Sequence, residues 1–318
     1  MAFHIKVPKE NAERVIRALN ATSELNRLYS VQKWGDYILI PVIAVDRKHE
    51  SLAGYEIVDI DPLERKRKPQ PASIRGSYDA IGRIAIIKIR NDKKALDLAR
   101  YLYESGNFDC VFRDHGVTGD LRLRDLEILQ GKEQYVTDHR ENGIIMRVNV
   151  SRVYFSPRLA TERLLLAKSC REGELVLDMF AGIGPFAVTI AKTSGARVIA
   201  IDKNPEAVAW MRYNIQRNRV GRLVSTRLMD SLKVSDLGLR FHRIVMNLPH
   251  DVLGYIDTAL SVLKEGGLIN LYMIGDTSKV AEVMSLLAHK GLKVVSKRMV
   301  HGYSPREALY SLELRRNR

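Results

Sequence analysis

Cysteine is nearly absent from this 318-residue chain, with Cys110 and Cys170 its only two. One distant pair builds neither a disulfide framework nor a zinc-binding spacing, and it points to a reducing compartment, the cytoplasm. No apolar run approaches the ~20 residues that a membrane span requires. The opening MAFHIKVPKE lacks the apolar stretch of a secretory signal. The eight histidines are scattered without an HxxxH or comparable pair, so no metal is expected. Acidic residues are outnumbered as well: 37 Asp and Glu face 51 Lys and Arg, a formal charge of +14. That imbalance creates a positive field that attracts polyanions, nucleic acid above all, although a generally basic surface has the same composition. With 46% hydrophobic residues the chain is globular, and its length accommodates two or three domains.

What is present falls into three segments. Residues 1–63 read as a small α+β domain. FHIKV is a strand, PKENAERVIRALN a helix opened by proline, and YSVQKW-GD-YILIPV a hairpin. A charged, proline-containing linker follows over 64–73, equally readable as a basic patch for RNA phosphates. Residues 74–152 form a second α+β domain: RIAIIKI a strand, DKKALDLARYLYES a helix, DCVFRD a strand, and YVTDHR-ENG-IIMRVNV a hairpin turning at Asn142-Gly143. Between them LRLRDLE alternates, which places Arg122 and Arg124 on one side if extended. From 153 to 318 strands alternate with helices: ELVLDMF, RVIAID, STRLMD, HRIVMNLP, GLINLYMI, LKVVSKRMV and ALYSLELR. This predicts a Rossmann-like α/β fold with a mostly parallel seven-stranded sheet, closed by a terminal antiparallel pair.

The first of those strands runs into Asp178-Met-Phe-Ala-Gly-Ile-Gly-Pro-Phe186. Gly182 and Gly184 allow close backbone approach to a ligand, Phe180 lies beside them, and Pro185 suits a first helical turn. Asp202 ends the second strand, where it can accept hydrogen bonds from a ribose, and Asp230 ends the third, placed for an adenine amine. Nicotinamide enzymes share part of this pattern, but the third glycine of GxGxxG is missing here. Asp178 precedes the loop, where its charge would repel a pyrophosphate and suit a cation. Three acids at three successive strand ends favour S-adenosylmethionine, which carries an ammonium and a sulfonium but no phosphate. The fourth strand ends in Asn247-Leu-Pro-His250, so Asn247 and His250 are candidates to meet a substrate beside the methyl group. An asparagine amide reads a base edge with donor and acceptor together, and Pro249 fixes the turn and leaves a carbonyl free of local pairing.

Five stretches in this order, VYFSPRLATERL, DMFAGIGPF, AIDKNP, RIVMNLP and GYSPRE, resemble the archaeal and eukaryotic tRNA guanine-N1 methyltransferases that act at position 37. LRLRDLE and the amino-terminal domain share the resemblance, which thus covers nearly the whole chain. It implies transfer of methyl from S-adenosylmethionine to a guanosine beside the anticodon, with tRNA as partner, no membrane and a monomeric enzyme. It also implies residue roles. Glu162 corresponds to the general base and Arg122 to an arginine that stabilises the reacting guanine. Asn247 and Pro249 match the base-recognition motif, Tyr154 and Arg158 lie near the target, and Asp202 and Asp230 match the donor's ribose and adenine contacts. His250, Tyr303 and Pro305 are expected on the substrate side. The sequence departs from the commonest pattern twice: His250 follows NLP where many relatives have lysine, and GYSPRE replaces a tyrosine-alanine-proline version.

The chemistry fits those roles. Guanine N1 carries a proton near neutral pH and, as it leaves, negative charge moves to O6, so the reaction asks for a base and for a cation or donor at O6. Ser156-Pro157 reads as an N-cap and first helical residue, setting Arg158 and Glu162 one turn apart on one face. Taken alone, that pair is also an ordinary helix ion pair. Two alternatives stay open: a wyosine-pathway transferase using the same cofactor, and a noncatalytic RNA-binding module. Relatives of the first usually lack the amino-terminal domain and NLP, and the retained acids argue against the second.

Overall fold

The computed structural model describes residues 2–21, 25–26, 29–42, 54–60, 76–119, 121, 123–302, 304 and 306–317. The chain divides into two compact units, Met1–Ala72 and Ser73–Arg318.

The first unit contains β1 (Ala2–Pro8), α1 (Lys9–Ala21), β2 (Gln32–Trp34), β3 (Tyr37–Pro41) and β4 (Glu56–Ile60), with sheet order β2-β3-β1-β4. The proline expected to open α1 instead ends β1, and β4 is a strand not anticipated above. Val15 and Leu19, four apart on α1, pack on Ile5, Val7, Ile40 and Val42 from the sheet. The 64–73 linker lies outside the described residues.

The second unit opens with β5 (Tyr78–Ile81), β6 (Ile84–Ile87), α2 (Asp92–Glu104), β7 (Cys110–Thr118) and β8 (Leu123–Gly131), in sheet order β5-β6-β7-β8. Then β9 (Val136–Glu141) and β10 (Ile144–Asn149) form the expected hairpin, its turn having φ 46° at Asn142 and 75° at Gly143. The main sheet follows: α3 (Ala160–Ser169), β11 (Leu175–Asp178), α4 (Pro185–Ser194), β12 (Arg197–Asp202), α5 (Pro205–Arg217), β13 (Val224–Leu228), β14 (Phe241–Met246), α6 (Ile256–Val262), β15 (Leu263–Gly275), α7 (Thr277–His289), β16 (Leu292–Gly302) and β17 (Ala308–Arg316). Its order is β13-β12-β11-β14-β15-β17-β16. Only β17 is reversed, and it lies between β15 and β16 rather than at the sheet's edge. The chain passes from β11 outward through β12 to β13, then returns to β14 on the other side of β11. That reversal opens a crevice at the carboxyl ends of β11 and β14.

The division expected at 152/153 falls inside this unit, where packing is continuous. Ile84, Ile86 and Phe112 of the small sheet share one apolar cluster with Met146, Val153, Phe155 and Phe186. Two asparagines four residues apart on and just after α5 complete the join by acting as a mock strand. Asn218 Oδ1 accepts from Ile145 N at 2.9 Å and Asn214 Oδ1 from Arg147 N at 2.7 Å, while their amides donate to the carbonyls of the same two residues. The free edge of β10 is thereby satisfied without another strand.

Candidate active site

A cavity of about 530 Å³ sits at the carboxyl ends of the main strands, within the second unit. Its walls differ in origin. One is built from the loops after β11, β12 and β13. Gly182 there has φ 54°, and Gly184, with φ 85°, caps α4 so closely to Met211 that a Cβ would lie 2.8 Å from its side chain. Asp202 Oδ2 accepts from Gly182 N at 2.7 Å and Oδ1 from Asn204 N at 2.8 Å. Burial raises its pKa, and those two amides, with Lys203, offset part of the rise. Each oxygen retains a lone pair. Asp230 is exposed on the rim, where its Oδ1 accepts from Leu232 N at 2.9 Å. The Phe180 ring stands edge-on to Tyr255 at 4.9 Å between centroids.

Asp178 lies behind this wall, fully buried and off the cavity surface. Neither carboxylate oxygen meets a donor at hydrogen-bonding geometry, although the Phe180 and Ala187 amides lie close enough to lower its pKa. Burial, and then the charge of Asp202, push that pKa up to about 7. The Asn247 side-chain oxygen is also buried without a partner, and this residue lines the cavity. At the Pro249 turn, Leu248 O is paired locally, accepting from Asp251 N, whereas Pro249 O has no local partner and accepts from the distant Ile274 N, both at 3.1 Å. The turn closes on itself and on β15, so the unsatisfied acceptor is the Asn247 side chain.

The other wall comes from the segment before α3 and from the small sheet. Tyr154, Arg158, Pro249 and His250 all face the cavity. Ser156 is extended and makes no side-chain cap, and Pro157–Leu159 form a 3-10 turn before α3 begins. Arg158 and Glu162 therefore do not pair. Arg158 Nε donates to Asp79 Oδ1 at 2.6 Å, and Arg298 Nη2 donates to Glu162 Oε2 at 2.8 Å. Glu162 is buried and is not itself on the wall, though its chain neighbour Arg163 and the nearby His301 are. Burial raises its pKa against the opposing charges of Arg298 and His301.

Arg124, the second arginine of LRLRDLE, is buried. It donates to Asp114 Oδ2 at 2.6 Å and to Phe155 O at 3.2 Å, lies 3.6 Å from Asp79, and stands 5.5 Å from the Tyr154 ring centroid. Asp79, Asp114 and Arg298 are missed by the sequence reading. The only local signal was an acid at an inward position of a short strand, SYDAIG for Asp79 and CVFRDHG for Asp114, and Arg298 gave none. Arg122, Tyr303 and Pro305 lie outside the described residues.

Comparison with known proteins adds the family. A family model described as TRM5/TYW2 methyltransferase domain matches residues 137–299, and a second, tRNA methyltransferase 5 N-terminal domain, matches residues 5–50. The chain is 34% identical to a tRNA (guanine(37)-N(1))-methyltransferase Trm5b of Pyrococcus abyssi, over 99% of each chain. Among solved structures, that of aTrm5 in complex with tRNALeu superposes with a TM-score of 0.71 at 31% identity, covering 99% of this chain and 100% of that one. Methanocaldococcus jannaschii Trm5 in complex with adenosine gives 0.68 at 31%, covering 99% of both. With one model spanning the α/β unit, another the amino-terminal unit, and relatives matching end to end, this chain belongs to the TRM5/TYW2 methyltransferase family.

Proposed function

We propose that this chain transfers the methyl group of S-adenosylmethionine to N1 of guanosine 37 in tRNA. The observation that carries this reading is the single cavity shared by two unlike walls. Gly182, Asp202 and Asp230 form a ligand cradle, and Tyr154, Arg158, Asn247 and Pro249 face it. The side chains fit a cationic ligand without phosphate. Pro185 opens α4 and removes one of the N–H groups a pyrophosphate would use. The buried acceptors of Asp178 and Asn247 lack donors. Asp202 would take the ribose hydroxyls on its remaining lone pairs, and Asp230 the adenine amine.

When bound, S-adenosylmethionine supplies an electrophilic methyl group on its sulfonium. The protein's share is to make guanine N1 nucleophilic. Glu162 takes the N1 proton, and its raised pKa makes it a stronger base than an exposed carboxylate. Asn247 Oδ1 accepts from the guanine edge, and the half-exposed Tyr154 ring offers a stacking face. Arg122 would meet the charge developing on O6. Both thiols are free and buried, which fits a reducing compartment such as the cytoplasm. Among the described residues no helix is long and apolar enough to cross a membrane.

Incubation with labelled S-adenosylmethionine and unmodified tRNA, followed by nucleoside mass spectrometry, tests the reading. The expected product is 1-methylguanosine at position 37. Transfer of the aminocarboxypropyl group instead would assign the chain to the wyosine branch, against the match of its amino-terminal unit.

A further inference from the structure

The Glu162 pairing is not explained by the roles assigned so far. Its side chain is 6% exposed, and Arg298 is its one ion-pair partner among the described residues, reached across 136 positions of sequence. Other groups near it are already committed. Arg163, beside it on α3, donates to both oxygens of Glu141 at 2.5 and 2.6 Å. Tyr272 of β15 bonds Ser311, and its hydroxyl is held protonated by burial and by the Glu162 charge. His301, three residues beyond Arg298 on β16, adds a weaker positive influence and lines the cavity. Arg298 does not line the cavity and its side chain is half exposed, so it is not placed to touch a base there.

We propose that Arg298 is a positioning residue for methyl transfer: its guanidinium holds Glu162 as an oriented carboxylate beside the cavity until a guanine seated there draws it to N1. The proposal rests on Glu162 being the base. A buried carboxylate with no cation nearby would take up a proton from solvent and could not then accept one from guanine. A bidentate, fully buried clamp would keep it ionised but would not release it. Arg298 lies between these cases, with one 2.8 Å hydrogen bond from a guanidinium that water reaches. Its place on β16 also sets it four residues before Gly302, where the strand ends and the sequence GYSPRE begins.

The plainer account is that the pair only pins β16 to α3. Single-turnover methyl transfer at saturating tRNA, measured against pH, separates the two. Removing the charge in Arg298→Met or Arg298→Gln should move the midpoint of the rising limb up by about one unit or more. Below the midpoint the rate would then fall roughly tenfold, and it would recover at high pH. Arg298→Lys keeps a charge and should hold the midpoint near that of the unmodified chain. Affinity for S-adenosylmethionine, read by calorimetry, should be unchanged in all three. A rate lowered equally at every pH in the neutral variants, with a lower melting temperature and an unmoved midpoint, would overturn the positioning role. Glu162→Gln supplies the separate control. An undiminished rate there would remove the base assignment itself, whereas its loss beside an unmoved Arg298→Gln midpoint removes only the inference.

Discussion

The two walls of the cavity hold their charges by different means. On the glycine-loop side the acids are held by backbone: Asp202 by the Gly182 and Asn204 amides and Asp230 by Leu232 N, while the charge of Asp178 is opposed by burial and favoured only by the nearby Phe180 and Ala187 amides. On the opposite side charges are held by other side chains: Arg124 by Asp114 and Asp79, Arg158 by Asp79, and Glu162 by Arg298. Backbone amides are rigid donors that leave carboxylate lone pairs open, which suits a wall that binds one invariant cofactor. Ion pairs between side chains come from five separate stretches of chain and exchange partners without moving a strand, which suits a wall that must admit and release a base.

The largest effect expected from breaking this contrast is at Glu162. Glu162→Gln should lower single-turnover methyl transfer by roughly 10²–10⁴-fold, the usual contribution of a positioned base, because an amide cannot take the N1 proton. Calorimetric affinity for S-adenosylmethionine, set by the opposite wall, should not change. A joint loss of both would mean that Glu162 supports the fold of the site rather than the chemistry.

Next comes Arg124. Its side chain is 3% exposed, and Arg124→Met takes from Asp114, whose side chain is 1% exposed, its 2.6 Å partner and leaves it Lys88 at 3.7 Å, while Asp79 keeps Arg158. Removing one member of a buried pair costs about 3–5 kcal/mol, readable as a fall in thermal or denaturant stability. Adding Asp114→Asn should return part of it, since the penalty belongs to the carboxylate that lost its partner. If the single variant loses less than about 1 kcal/mol, water already solvates the cluster.

The same contrast explains what the sequence made legible. The seven strands of the main sheet, the glycine loop and the Asn142-Gly143 hairpin are local patterns, each contained in ten or so residues, and the structure forms all of them. The second wall is not local. Asp79, Asp114, Arg124, Arg158 and Arg298 come from β5, β7, β8, the 3-10 turn and β16, and no spacing rule joins them. The reading of Arg158 and Glu162 as a one-turn pair went astray for a related reason. Helical spacing assumes that the helix starts at Pro157, but a 3-10 turn intervenes and stronger distant partners claim both groups. The five-residue β4 is hard to read because it is short and pairs with the distant β1, and β5 because it has only four residues, although it forms a hairpin with the adjacent β6.

A smaller effect, opposite in sign, is expected at Asp178. Its pKa in the fold is about 7 against an ordinary 3.8, so between those values the folded protein holds a proton that the unfolded chain has lost. Stability from this group is therefore present at low pH and falls as pH rises through that window. At pH 8 the ligand-free Asp178→Asn protein should be more stable than the unmodified chain by a few kcal/mol, on the order of what three pKa units imply. At pH 4 the two should be nearly equal. Affinity for S-adenosylmethionine should weaken in the same variant, because the lost charge favours a cationic ligand. Denaturant titrations at both pH values check the first part, and a stability gap that widened toward low pH would reverse the account.

The smallest effect concerns the amino-terminal unit, where neither wall is touched. Its core is its own, with Ile5, Val7, Val15, Leu19, Ile40 and Val42 packed together. Several of its cations are already neutralised: Lys6 by Glu56, Lys9 by Asp36 and Arg17 by Glu13. If the unit grips tRNA away from the target base, the contribution comes from the nine other Lys and Arg of residues 1–72, four of them at 65–68, and from exposed rings such as Trp34, which is 57% exposed on β2. A chain beginning at Ser73 should fold, bind S-adenosylmethionine with unchanged affinity and keep its single-turnover rate at saturating tRNA. Its log affinity for tRNA should fall less steeply with log salt, by roughly 0.7–0.9 for each phosphate that the protein no longer neutralises, hence by about one or two in all. Discrimination between intact tRNA and an isolated anticodon stem-loop should shrink with it. Titrations of both RNAs at several salt concentrations decide the matter: with equal slopes and equal discrimination in the long and short chains, the first unit would be an accessory to stability, and the whole of tRNA selection would fall to the side-chain wall around Tyr154 and Arg158.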